Sequence, residues 1–193
     1  MNTKSIMIVG VGGQGSLLAS RILGNVLLAQ NYDVKVSEVH GMSQRGGSVV
    51  TYVKYGDEVC SPVIEKGEAD VIISFEQLEA ARWLPYLKKG GHLVVSEQKM
   101  DPMPVITGAA KYPEDILGKL SNLGADVTSV DALGLAEQAG SPKASNVVLM
   151  GVVSTKMELS EEAWQKALEE CVPTKFLELN KKAFALGRQA AKN

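Results

Sequence analysis

Cysteine, histidine and aromatic residues are all scarce in this chain, and each shortage removes a class of chemistry. Its 193 residues include two cysteines, Cys60 and Cys171, and no C-x-x-C pair. A protein iron–sulfur cluster or structural zinc site takes about four such ligands, so the chain alone builds neither. Two lone thiols in a chain of this size read as reduced core residues in a cytoplasmic setting. Two histidines, His40 and His92, exclude a multi-histidine metal centre. Aromatics are 5% of the residues, too few for base-stacking platforms. Neither charge sign dominates: 20 basic residues oppose 22 acidic ones. That balance argues against nucleic acid or an anionic membrane as partner. No apolar run approaches the ~20 residues of a membrane span. The apolar start at Ser5–Val9 meets glycines at once, unlike a signal peptide. No G-x-S-x-G elbow announces a hydrolase nucleophile.

What is present is ordinary globular composition, 45% hydrophobic and 22% charged. A chain this long buries a core without staples. With no repeat, low-complexity tract or long linker, residues 1–193 are expected to form one domain.

The hydrophobic pattern alternates strands and helices. Ser5–Val9 reads as a buried strand, Gly10–Gly15 as a turn, and Ser16–Gln30 as a helix with Leu17, Leu18, Ile22, Val26 and Leu27 at helical spacing. Asp33–Val39 reads as a second strand, His40–Ser48 as a polar loop and Val49–Lys54 as a third strand. Asp70–Phe75 and His92–Ser96 read as further strands around a helix at Glu76–Lys88. Val105–Thr107 reads as a short edge strand, Glu114–Leu123 as a helix and Asp126–Val130 as a strand. Asn146–Met157 is apolar almost throughout, and periodicity leaves strand and buried helix both open. Ser160 reads as an N-cap with Glu161 and Glu162 in the first turn. Trp164, Ala167, Leu168 and Cys171 follow at helical spacing, and Phe176, Leu179, Ala183 and Leu186 mark a last helix. The pattern predicts an α/β fold: a three-layer sandwich with a mostly parallel, Rossmann-like sheet and a helical C-terminal part.

Two glycine-rich segments carry the functional signal. Gly10-x-Gly12-x-x-Gly15 lies between a strand and a helix, where glycines let backbone approach a phosphate and the helix start offers N–H groups. Gly13 and Gln14 complete the turn. Glu38 is a candidate partner for a ribose hydroxyl. Ser16 stands where a P-loop needs lysine, which speaks against nucleoside triphosphate hydrolysis. The second segment, His40-Gly41-Met42-Ser43-Gln44-Arg45-Gly46-Gly47-Ser48, is expected beside the first, at the edge where open α/β sheets bind ligands. Arg45 offers a planar fork for a carboxylate or phosphate, Gly46-Gly47 a pair of N–H groups, and His40 a group that titrates near neutrality. A tight turn that binds nothing, and an Arg45 paired with an acid such as Glu38, are the alternatives. His92 reads as a satisfied core histidine, both cysteines as packing residues, and Glu161, Glu162, Glu169 and Glu170 as solvated helix faces.

Val9–Leu23 (VGVGGQGSLLASRIL) and Glu38–Val53 (EVHGMSQRGGSVVTYV) together resemble the gamma domain of 2-oxoacid:ferredoxin oxidoreductases, within that family the separate small subunit of the indolepyruvate type. The two glycine motifs occur in the family's order and spacing, and the length fits one whole gamma domain. The resemblance implies CoA-dependent oxidative decarboxylation of an aryl-2-oxoacid to an acyl-CoA, with electrons passed to ferredoxin. It implies that thiamine diphosphate and the iron–sulfur clusters sit on a large alpha-type partner subunit, that CoA is a co-substrate, and that this chain holds no cofactor stably and is inactive alone. For the isolated subunit, a homo-oligomer formed over the uncovered partner surface and a monomer both stay open. Gly10, Gly12, Gly13, Gln14, Gly15, His40, Gly41, Ser43, Arg45, Gly46, Gly47 and Ser48 match the family's motif positions as cofactor-binding or interface residues. A free-standing NAD(P)-binding oxidoreductase and a nucleotide-binding scaffold are the competing readings. The preferred oxoacid and the stoichiometry are not written in the sequence.

Overall fold

The computed structural model describes residues 3–40, with His40 as backbone only, and residues 46–192. Six strands form one sheet: β1 (Lys4–Val11), β2 (Asp33–His40), β3 (Ser48–Gly56), β4 (Ala69–Ser74), β5 (Leu87–Ser96) and β6 (Asp126–Val130). Their order across the sheet is β2-β3-β1-β4-β5-β6. The pairings β1–β4, β4–β5 and β5–β6 are parallel, whereas β3 runs antiparallel to both neighbours. Five strands therefore share one direction and β3 alone opposes it. In the conventional dinucleotide fold β2 lies beside β1. Here the β2–β3 hairpin folds back and inserts β3 between them.

Helices cover both faces, giving the three layers expected. On one face, Ile6, Ile8, Val53, Val71, Ile73 and Val94 pack under α1 (Ser16–Leu28), α5 (Ala132–Ala139), α6 (Ser145–Ser154), α7 (Glu161–Cys171) and α8 (Leu177–Ala190). On the other, Met7, Val9, Val50, Ile72, Leu93 and Val95 pack under α2 (Gln77–Trp83) and α4 (Ile116–Asn122). A period of two in each strand sends alternate side chains to the two layers. The long apolar run near the C terminus resolves as helix α6. Every residue from Asn146 to Ser154 is buried, because sheet, α1, α5 and α8 surround it. Gly151 on α6 and Gly187 on α8 let those helices touch backbone to backbone. A Cβ at Gly151 would lie 2.1 Å from the Phe184 carbonyl oxygen, and one at Gly187 2.0 Å from that of Val148.

Three expectations fail. Residues 103–106 form a helical turn, α3 (Met103–Ile106), instead of an edge strand at Val105–Thr107. Pro104 sits in its first turn, where a missing N–H is harmless. The sheet edge is β6 instead. His92 is not a core residue: its side chain is 38% exposed and pairs with Asp126 through Nδ1 at 2.5 Å. Its strand starts earlier than expected, at Leu87, and His92 lies where β6 begins. Cys60 is exposed, so Cys171 alone is a packing thiol. Ser160 does cap α7, accepting the Ala163 N–H, and the four glutamates on that helix face solvent. No helix among the described residues is long and apolar enough to cross a membrane.

Candidate functional site

β1 and β2 run the same way, so the glycine turn after β1 and the tip of the β2–β3 hairpin emerge at one sheet edge, the carboxyl end of the parallel strands. The antiparallel ladder ends at Val11 opposite Ser48. It continues into the turn, where the Gly12 N–H donates to the Gly47 carbonyl at 2.9 Å. Gly46 lies on the other side of the same contact, its N–H 3.5 Å from the Gly12 carbonyl oxygen. Gly10, Gly12, Gly13, Gln14, Gly15, Gly46, Gly47 and Ser48 are thus gathered at one place. Gly41, Ser43 and Arg45, with Met42 and Gln44, lie outside the described residues. His40 closes β2 opposite Val49.

Backbone geometry explains the glycines. Gly13 has φ +101° and Gly15 φ +86°, left-handed values that cost a residue with a Cβ about 1–3 kcal/mol. Space around Gly13 is open, but a Cβ at Gly15 would stand 2.4 Å from Asn146 Nδ2. Asn146, at the start of α6, donates to the Gly15 carbonyl at 3.1 Å. Gly15 also heads α1, with no side-chain cap and no acidic residue in the first turn. The positive end of that helix is therefore uncompensated at the turn.

Gln14 holds the edge together. Its Oε1 accepts the Val11 N–H at 2.7 Å, and its Nε2 donates to the Phe75 carbonyl at 2.9 Å and to Gln98 Oε1 at 3.0 Å. One amide thus ties the ends of β1, β4 and β5. Gly10 makes room for it: a Cβ there would be 2.8 Å from Gln14 Oε1.

Two buried carboxylates complete the edge. Glu76 and Glu79 are 1% and 4% exposed, at the amino end of α2. Glu76 accepts the N–H groups of Glu79 and Met100, at 2.9 and 3.2 Å, and the Tyr112 hydroxyl. Burial and the Glu76 carboxylate push the Tyr112 phenol well above its ordinary value. Glu79 accepts from Arg82 Nε at 3.0 Å, from Trp83 Nε1 at 3.3 Å and from the Ser48 hydroxyl. Both carboxylates are engaged by several donors, so they act as anchors. Ser48, singled out by sequence, is the point where the hairpin is fastened to α2.

Sequence reasoning missed Glu76, Glu79, Gln98 and Asn146. The available signal was position: Glu76 follows directly on an apolar strand at the carboxyl edge of the sheet. Glu38 does not serve as a ribose partner to the turn. It pairs with Thr51, which pairs with Ile8. It is therefore two strands from β1, roughly 10 Å away, and below the turn.

A glycine turn and the described end of a hairpin share the carboxyl edge of a three-layer mixed sheet, which defines an α/β domain with exposed backbone at that edge. Among the described residues no group of three or more His, Cys, Asp or Glu is placed to hold a metal ion. The chain belongs to the pyruvate ferredoxin/flavodoxin oxidoreductase family, which it matches over residues 5–190. It is 43% identical to the indolepyruvate oxidoreductase subunit IorB of Thermococcus kodakarensis, over 100% of this chain and 98% of that one. The keto/oxoacid ferredoxin oxidoreductase gamma subunit of Geobacter sulfurreducens superposes with a TM-score of 0.73 at 25% identity, over 98% of each chain. A third likeness, of fold alone, is to the 2-oxoglutarate:ferredoxin oxidoreductase of Magnetococcus marinus solved with 2-oxoglutarate, coenzyme A and succinyl-CoA bound. There the TM-score is 0.75 at 19% identity, and this whole chain matches 31% of the longer one.

Proposed function

We propose that this chain is the small, clusterless subunit of an indolepyruvate-type 2-oxoacid:ferredoxin oxidoreductase, with residues 1–193 working as one gamma-type domain in the cytoplasm. A large partner subunit carries thiamine diphosphate and the iron–sulfur clusters and meets ferredoxin, and CoA enters as co-substrate. The observation that carries this reading is the full-length, 43% identical relative named as a subunit. The division of labour is supported by the cysteines, which are too few for a cluster and differ in burial, Cys60 exposed and Cys171 buried. It is supported also by Glu76 and Glu79, whose carboxylates are occupied by structural donors.

In the assembled enzyme the thiazolium of the partner supplies the electron sink for decarboxylation. This chain's share is positioning. Gly12, Gly13 and Gly15 bring bare backbone and the start of α1 to the edge, and Gly46 and Gly47 form the facing wall. In sequence the segment between β2 and β3 adds His40, Gly41, Ser43 and Arg45, residue types that suit an anion or an acidic partner. A phosphate of CoA, or an acidic group of the partner, is the chemistry these groups suit.

The test is recombination with the large subunit. The chain alone should lack oxoacid oxidase activity, and the recombined enzyme should have it. Arg45→Ala should lower turnover or raise the apparent constant for CoA by about tenfold or more, as loss of a charged hydrogen bond of roughly 1.5–3 kcal/mol requires, with Arg45→Lys intermediate. Failure to capture a thiamine-dependent partner, or stoichiometric iron and sulfide in the isolated chain, would overturn the reading.

A further inference from the structure

A cavity lies at the opposite edge of the sheet, where the parallel strands begin. Lys4 opens β1 and Val11 ends it, so the two edges are roughly 20 Å apart. The cavity has a volume of about 460 Å³. Ile6, Val71, Met157 and Leu159 contribute apolar surface to its lining, beside Tyr32 and Tyr55. Those two rings pack at 5.3 Å between centroids, tilted by 56°. Burial, with Tyr32, Asp70 and Glu158 nearby, pushes the Tyr55 phenol up to about 12, so that phenol stays neutral.

The charged part of the lining has a different character. Lys4, Lys88, Lys89 and Lys156 line the cavity together with two carboxylates, Asp70 and Glu158, and with His92, whose Nδ1 is paired with Asp126. Asp70 already faces two ammonium groups, Lys88 at 3.2 Å and Lys4 at 3.7 Å, and accepts the Ser5 N–H at 2.9 Å. Lys89 and Lys156 have no carboxylate partner among the described residues. Four lysines against two carboxylates leave an excess of positive charge beside the apolar and tyrosine surface.

We propose that this cavity is a binding site for a small organic anion, an aryl or alkyl carboxylate, sulfonate or phosphate, whose apolar body sits on Ile6, Val71 and the tyrosine pair while its charge meets the lysines. Apolar surface supplies affinity and the lysines supply orientation, the usual division in small-molecule sites. This inference does not depend on the role proposed for the glycine edge, and its test uses the full chain without any partner.

The probes are 1-anilinonaphthalene-8-sulfonate and the uncharged N-phenyl-1-naphthylamine, the same aryl body with and without the anion, titrated by fluorescence. The sulfonate should bind one per chain, about tenfold more tightly than the neutral probe, and weaken with added salt. Lys89→Glu and Lys156→Glu should each weaken it about threefold or more, with melting temperature unchanged because neither ammonium holds a partner. The reversals should leave the neutral probe unaffected. Equal affinity for the two probes, no binding of the sulfonate, or unchanged binding in both lysine variants would overturn the proposal.

Discussion

Replacing Gln14 should loosen the whole candidate edge, and the structure allows its magnitude to be worked out. Its amide makes three hydrogen bonds, to Val11, Phe75 and Gln98. Each contributes about 0.5–1.5 kcal/mol net, and a buried donor left without a partner costs about 1–3 kcal/mol. Gln14→Ala strands the Val11 N–H and the Phe75 carbonyl together, a loss of about 2–4 kcal/mol. For a chain of this length that lowers the melting temperature by roughly 5–15 °C. Gln14→Glu separates the contributions. The introduced carboxylate still accepts from Val11 but turns an oxygen toward two other acceptors, and only its protonated form can donate to them. Its folded-state pKa is therefore raised above the unfolded value of about 4.3. The penalty relative to the parent is complete above the folded pKa and fades as pH falls toward the unfolded one. Melting of parent and both variants between pH 7 and 4, by circular dichroism, should show the gap closing for Gln14→Glu and staying constant for Gln14→Ala. An alanine variant within about 1 °C of the parent would refute the account of Gln14 as the tie between three strands.

Gly151→Ala should drive α6 and α8 apart, since the new methyl would meet the Phe184 carbonyl; a loss of about 1–3 kcal/mol in urea unfolding is expected, and an unchanged midpoint would contradict the backbone contact. Cys60 should react quickly with an aromatic disulfide reagent in the native state. Cys171, buried, with its thiol pushed up by burial and beside the Asn25 amide at 3.2 Å, should react only after denaturation; two equally fast thiols would disprove this. The phenols of Tyr55 and Tyr112 are both raised in the folded chain. Their stabilising contribution is whole below the unfolded value of about 10 and is lost as pH climbs through the folded values. Alkaline titration should show stability falling from about pH 10 upward, less steeply in Tyr55→Phe and Tyr112→Phe.

The opening of the chain was readable because its signals are local. Ser5–Val9, the glycines and the spacing of Ile22 and Val26 lie within one strand–turn–helix unit, and each choice agrees with the next. The hairpin tip could be placed at the correct edge because strand direction alone dictates it. The insertion of β3 beside β1 was not readable, since strand pairing is a long-range choice that periodicity does not encode. Glu76 and Glu79 escaped for a related reason. Carboxylates belong on the surface by default, and the groups that make these two tolerable, Met100, Tyr112 and Ser48, lie 24, 36 and 31 positions away. α6 was ambiguous because a segment enclosed on every side has no polar face to betray its period. The helix at Ala132–Ala139 went unread although Asp131 caps it and Gly140 follows it, as its alanines give a faint apolar stripe.

The inserted strand also dictates when the glycine edge comes into being as the chain folds. β2 and β3 meet across a short hairpin, so they can zip together early, on microsecond timescales typical of such units. β1 cannot join until the span between Val11 and Ser48 has closed as a loop, with its helix docked. Loop-closure entropy places that step later. Gly12 and Gly47 are strangers in every earlier species, and their contact is a product of the final docking. A nascent chain stalled before that point would expose the inner edges of β1 and β3, unpaired and valine-rich, which is a template for joining another copy. The lesion that most endangers solubility is therefore one that slows the closure of this loop, even where the finished fold would tolerate it.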